Sequence, residues 1–297
     1  MQVILTSPWI PAEWVRAHGL PAAGVWSAEQ LPRLGPALAA GVCAFAERIV
    51  RLAESQPGAA VVFASTCDQL RRGFDAAVFH GQSRSFLFNV PATLSPAARR
   101  MYREELERLG RFLVVQGGVA PPGERLQREM LEGDGQRAAR LAAAVARKAP
   151  KGLVPLALVG GPLSPAHEMI PGEIQAAGGW VALDGTENGE RAWNVRFDFS
   201  AGGDPFEVLL AGYFENLVDV FQRPNTRLYD WLRPRLESRD VRGIVLWQFT
   251  GCDLWRAEAH SLREIFGRPV LVLEAPENGR LSPRETTRVQ AFVEALQ

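Results

Sequence analysis

Short, continuous apolar runs alternate along this chain with longer stretches whose apolar positions recur every three or four residues. Runs of the first kind read as strands buried on both faces, and stretches of the second kind as amphipathic helices. In the first part of the chain MQVILTS, the short PAAGVWS, AAVVFAS and SRSFLFNVP predict strands, the last ended by Pro91. Helices are expected through PAEWVRAHG, from about Leu38 to Ser55, through DQLRRGFDAAV and from Ala97 to Phe112. Leu38, Val42, Phe45, Ile49 and Leu52 keep helical spacing, which puts Cys43 near a helix start. The many charges of the 97–112 helix read most simply as its solvated face.

A loop at residues 117–125, GGVAPPGER, leads into a charged helix closed by Pro150 and Gly152, and the pattern then begins again. LVPLALVGG, GWVALDG, GIVLWQFTG and PVLVLEAP predict strands. PAHEMIPGEIQAAG, DPFEVLLAGYFENLVDVF, NTRLYDWLRPRLESR, the segment after Cys252 and SPRETTRVQAFVEAL predict helices, the last with a serine cap ahead of proline. Such alternation means βαβ units and parallel sheets, hence an α/β fold. The two series predict two similar lobes facing each other across a cleft: residues 1–117, a helical linker at 118–151, and residues 152–297.

Length and charge narrow the function. A chain of 297 residues holds one large or two ordinary domains. Its 33 basic and 33 acidic residues balance, so neither a nucleic-acid nor a membrane surface is expected. No apolar stretch reaches the roughly 18 residues a membrane span needs. The N-terminal MQVILTSPWIP lacks a charged n-region and a long apolar core, so no signal peptide is expected. A cytoplasmic location follows, where thiols stay reduced.

The candidate chemistry lies in three cysteines, Cys43, Cys67 and Cys252. Cys67 and Cys252 share a layout of strand, small or hydroxyl residues, Cys-Asp, then a helix carrying arginine. Strand carboxyl ends are where open α/β sheets place ligands, so two thiols there suggest one shared inorganic centre. The spacings of 24 and 185 residues make no local CxxC loop, so the fold itself must assemble the site. Three thiolates without a fourth suit a [4Fe-4S] cluster with one open iron. Each cysteine taken alone also fits a small buried hydrophobe. Their odd number in so long a chain argues against a disulfide framework.

Other motifs are weaker. LVGGPLSP is neither GxGxxG nor a phosphate loop, there is no GxSxG, and the four histidines lack metal-site spacing. His167-Glu168 is a minor acid/base candidate at the cleft mouth. Arg71 and Arg72 suit either an anionic group or a solvated helix face.

STCDQLRRGFD, followed by FLFNVP and MYREELERL, carries a resemblance. The second half continues it with a strand ending in a Gly-Pro turn, LDGTENGERAW with Arg191, LLAGYFENLVD, GIVLWQFTGCDLWRAE, and a V-L-E strand leading to TTRVQAFVEAL. In this order the set resembles the 2-hydroxyacyl-CoA dehydratase / benzoyl-CoA reductase family (D-component-like), with this chain a short member. The resemblance implies two Rossmann-like lobes around a [4Fe-4S] cluster held by Cys43, Cys67 and Cys252. Thr66, Asp68, Thr250 and Asp253 are the expected groups around the sulfurs, and no catalytic side chain is assigned. It further implies one-electron, ketyl-radical chemistry on an acyl-CoA thioester, as a lyase or reductase component. The implied partners are a homologous subunit in a hetero- or homodimer and an ATP-dependent iron–sulfur activator. The alternative is a non-catalytic electron-relay or scaffold subunit. Members run longer between the lobes and double-cubane relatives carry extra cysteines; here only Gly118 to Ala149 fill that stretch. The open iron position is therefore expected to be exposed unless a partner covers it. An aromatic surface including Trp247 or Trp255 should then be buried only in a dimer.

Overall fold

The computed structural model describes residues 1–27, 42–200, 202–275 and 280–297. Its framework is two four-stranded parallel sheets flanked by helices. In the first, β1 (Val3–Leu5), β2 (Ala22–Gly24), β3 (Ala60–Ala64) and β4 (Ser85–Phe88) lie in the order β2-β1-β3-β4. In the second, β5 (Val154–Gly160), β6 (Gly179–Thr186), β7 (Gly243–Gln248) and β8 (Val270–Glu274) lie in the order β6-β5-β7-β8. The two orders are equivalent, so the chain folds the same strand plan twice.

Side-chain alternation explains why these strands read as continuous apolar runs. Val3 and Leu5 face one core with Ala60, Val62 and Ala64, while Ile4, Val61 and Phe63 face another. In the second sheet Ala157, Val159, Ile244 and Leu246 face one side, and Leu156, Leu158, Val245 and Trp247 the other. Each sheet thus has apolar layers on both faces, which leaves no polar face for the strands to show.

The helices are α1 (Ala12–Ala17), α2 (Ala44–Ser55), α3 (Asp68–Phe79), α4 (Pro96–Val115), α5 (Gly123–Ala146), α6 (Ile170–Ala176), α7 (Pro205–Asn216), α8 (Thr226–Ser238), α9 (Asp253–Phe266) and α10 (Pro283–Glu294). Of the helix expected from Leu38, residues 38–41 lie outside the described residues, and α2 begins at Ala44. PAHEMIPGEIQAAG divides into a single 3-10 turn, Pro165–His167, and the short α6. DPFEVLLAGYFENLVDVF stops at Asn216 rather than running on to Phe221. Guanidinium groups take the carbonyls that a longer helix would have used. Arg227 donates to the oxygens of Glu215 and Leu217, and Arg191 to that of Val218.

Helix α7 comes late in the chain yet packs into the core of the first sheet. Leu209, Leu210, Tyr213 and Phe214 join Leu106 and Leu109 of α4 and Leu126 and Met130 of α5 there. A buried polar knot fastens this crossing. Glu13 of α1 accepts from the Tyr213 hydroxyl and from Arg137 of α5, whose Nη1 stands 2.5 Å away.

At the other end of the molecule, Ser282 and Glu285 form a reciprocal capping box at the start of α10. Ser282→Ala is expected to lower stability by about 1 kcal/mol, the usual worth of such a cap. Urea denaturation reads it directly, and an unchanged midpoint would discount the cap.

Candidate functional site

In each sheet the first strand has its successor on one side and the third strand on the other. The chain therefore leaves β1 and β3, and likewise β5 and β7, in opposite directions, which opens a crevice at their carboxyl ends. Both crevices open onto one cavity of about 740 Å³. Ser65, Thr66 and Cys67 beyond β3, Gly161 and Pro162 beyond β5, Glu187 beyond β6, and Phe249 and Cys252 beyond β7 line it, together with Cys43.

All three cysteines occupy the same local position: Cys43 caps α2, Cys67 caps α3 and Cys252 caps α9. An N-cap residue is extended, and its side chain turns back toward the free amides of the first helical turn. Leu70 N donates to Cys67 Sγ at 3.4 Å. Cys43 and Cys252 take no such cap hydrogen bond, but the amides of Phe45 and Ala46 beside Cys43 and of Trp255 beside Cys252 still favour charged sulfur. Three helix N-termini thus aim their positive ends at one wall.

Tertiary contacts hold the distant cysteines together. Cys43 N donates to Gln69 Oε1 of α3 at 2.8 Å, and Ala44 N to Thr250 O at 3.4 Å. Gly251 lies so close that a β-carbon there would stand 3.4 Å from Cys43 Cβ. Phe45 stacks near Phe249 across the same seam, with ring centroids 5.1 Å apart.

Burial sets the protonation of these thiols. It pushes Cys67 up to about 12 and Cys252 up to about 11, and it raises Cys43 as well. The helix amides oppose the rise, and repulsion among the three sulfurs adds to it for Cys67 and Cys252. The metal-free chain consequently carries three thiols at neutral pH, and a metal must expel their protons in order to bind.

Among the described residues, no three His, Cys, Asp or Glu side chains converge closely enough for a single metal ion. A lone tetrahedral ion draws its sulfur ligands to within ~4 Å of one another, given metal–sulfur bonds near 2.3 Å. A cubane spreads its ligand sulfurs to roughly 6–7 Å, since each sulfur binds a different iron. Three soft donors on one wall, each facing backbone amides, suit the larger body.

Two carboxyls share this wall and escaped the reading of the sequence. Glu187 follows β6, and its Oε1 accepts from Ser7 Oγ at 2.9 Å, a bond that reaches across to the end of β1. Asp219 is paired with the buried Arg191 at 3.1 Å. Desolvation, with Asp219 nearby, lifts Glu187 to about 7, and Arg191 and Ser7 only partly offset this. The folded chain therefore binds a proton at Glu187 more tightly than the unfolded chain does. Glu187's contribution to the stability of the metal-free protein is expected to be fully present below about pH 4.5 and to be lost as pH rises through 7. Glu187→Gln should flatten that slope between pH 5 and 8 in urea titrations, and an unaltered slope would place the titration elsewhere. The only sequence signal was an acid beyond a strand end.

Several expectations need correction. His167 is not at a cleft mouth: it is fully buried, held at Nδ1 by Ser164 (2.8 Å) and packed edge-on against Trp247 and Phe249. Glu168 is exposed. Trp247 and Trp255 are buried within the single chain, at 0% and 4% exposure, so neither awaits a dimer partner. Arg71 reaches the cavity wall, whereas Arg72 is not among its lining residues, and both are exposed. Thr66, Asp68 and Asp253 line the cavity; Thr250 contributes its carbonyl instead.

The family model of the 2-hydroxyglutaryl-CoA dehydratase D-component matches residues 9–153 and 142–296. The chain belongs to this family. The matched stretches of the D-component contain all three cysteines, Glu187, Arg191 and Asp219. No curated protein matches the chain. A periplasmic heme-binding protein from Pseudomonas aeruginosa is 15% identical, with 99% of this chain and 92% of that one covered and a TM-score of 0.24. The laminin-binding protein Lbp of Streptococcus pyogenes is 14% identical, with coverages of 100% and 97% and a TM-score of 0.25. Scores this low carry nothing about the site. No described helix is long and apolar enough to cross a membrane.

Proposed function

We propose that this D-component chain is the iron–sulfur subunit of a 2-hydroxyacyl-CoA dehydratase-like or acyl-CoA reductase-like enzyme, with Cys43, Cys67 and Cys252 holding a [4Fe-4S] cluster. One observation carries the reading: three cysteines far apart in sequence cap three helices on the wall of one cavity at the switch points of both sheets. Held by these three cysteines, such a cluster would supply one-electron, ketyl-radical chemistry at an acyl-CoA thioester, with the electron delivered by the ATP-dependent activator.

The protein's own part is to bind, shield and orient. The amides of Leu70, Phe45, Ala46 and Trp255 stabilise charged sulfur. Phe45, Phe249 and Trp255 add apolar surface to the wall beside it. Glu187 holds a proton beside the same space, within reach of the β1 end through Ser7. The division into lobes of 1–117 and 152–297 around a helical joint, a homologous partner subunit, an ATP-dependent activator and a cytoplasmic setting belong to the same proposal.

Anaerobic purification with iron and sulfide determination and EPR tests it. About four irons and four sulfides per chain are expected. A colourless protein that takes up no iron on anaerobic reconstitution would end the cluster reading. Acyl-CoA turnover with activator and partner separates a catalyst from a relay.

A further inference from the structure

Beyond the thiols, the cavity wall changes character. Val90 and Pro91 beyond β4, Met101 on α4, Val220 and Phe221 after α7, and Leu254 on α9 contribute apolar side chains to the lining. Val90, Pro91, Val220 and Phe221 are buried, so this surface belongs to the packed body of the protein. The charged groups on the wall are nearly all of one sign. Asp68, Asp219 and Asp253 line it beside Glu187, which is only partly charged near neutral pH, and Arg71 is the one cation among the described lining residues. Arg71 is solvent-exposed, where a guanidinium attracts an anion only weakly. The buried Arg191 is already committed to Asp219 and to three backbone carbonyls.

A second carboxylate on a ligand would therefore be desolvated against apolar side chains and face acidic groups, with no buried cation among the described lining residues to meet it. A neutral hydrocarbon end would gain from the same lining. Resting on the acyl-CoA reading above, we infer that the acyl group taken into this cavity is neutral and apolar, and that the dicarboxylic glutaryl type in the family's name is disfavoured here.

Pentanoyl-CoA and glutaryl-CoA test this cleanly, because both acyl groups have five carbons and differ in a terminal methyl against a carboxylate. Neither carries a 2-hydroxyl, so binding is measured without turnover. Calorimetric titration into the anaerobically prepared full chain is expected to show pentanoyl-CoA binding at least about tenfold tighter, a difference of ~1.4 kcal/mol. Met101→Arg adds a cation to the apolar wall at a position already 40% exposed on α4, where the fold tolerates it. It should narrow that gap about twofold, the modest gain that a part-exposed guanidinium offers an anion, and circular dichroism confirms that the variant is folded.

Equal or tighter binding of glutaryl-CoA to the wild type would overturn the inference and leave the acyl-CoA reading standing. A gap that Met101→Arg leaves unchanged would overturn the assignment of this wall to the acyl group. Failure of both thioesters to bind a folded, cluster-loaded chain would remove the acyl-CoA reading itself, and the inference with it.

Discussion

Cys67→Ser is expected to strip the chain of iron while leaving its fold intact. Serine is among the best N-cap residues, and Cys67 is the N-cap of α3, with Sγ accepting from Leu70 N. The hydroxyl can take over that bond, so stability of the metal-free protein should stay within about 0.5 kcal/mol of wild type. As an iron ligand, however, a neutral hydroxyl is a poor substitute for a thiolate. Iron after anaerobic reconstitution should fall from about four per chain to below about one. Cys43→Ser and Cys252→Ser are expected to lose iron likewise, although these two cysteines sit at N-cap positions without a side-chain cap hydrogen bond for the hydroxyl to take over. Iron and sulfide determination with EPR gives the readout, and urea denaturation shows that the loss is not unfolding. Unchanged iron in all three variants would remove these cysteines from the proposed centre.

Arg191→Ala is expected to be the most damaging single change away from the thiols. The guanidinium is 1% exposed and joins four groups. It donates to Gly160 O at 2.7 Å, Gly185 O at 2.8 Å, Val218 O at 3.3 Å and Asp219 Oδ2 at 3.1 Å. It also lies 4.9 Å from the Trp255 ring centroid, above the start of α9. It therefore pins the ends of β5 and β6, the segment after α7 and the helix that Cys252 caps. Removing it leaves Asp219 buried without its counter-charge, a loss of about 3–5 kcal/mol. Glu187 would lose the cation that holds its proton affinity down, so its titration should move above 7. Denaturant midpoints at pH 6 and pH 8 test both parts. A loss under about 1 kcal/mol would show that water or another cation replaces the guanidinium. Adding Asp219→Asn to Arg191→Ala should restore part of the stability, since it removes the stranded charge.

Much of the fold was legible because burial leaves a local mark on the chain. The runs VVF in β3 and IVLW in β7 are apolar at every position since helices cover both faces of their sheets. Serine before proline announced α10, where Ser282 closes a capping box with Glu285. The placing of Cys67 and Cys252 just past strand ends was equally local, and the doubled strand order put both on one cavity wall.

What stayed hidden depended on partners far along the chain. The sequence placed His167-Glu168 at the cleft mouth, yet Trp247 and Phe249, some 80 residues later, close over the His167 ring. At the end of α7 the carbonyls of Glu215, Leu217 and Val218 go to Arg227 and Arg191, an alternative to continued helix that helical periodicity does not record. Glu187 looked like an ordinary acid in a polar loop until Ser7, beyond β1, and Asp219, after α7, were brought beside it. Strand and helix character, and the thiols at strand ends, are written in neighbouring residues, because each element buries its own periodic face. The protonation of those thiols, the carboxyls beside them and the acidic, apolar character of the cavity arise only when the two sheets meet, because desolvation and charge depend on distance in space.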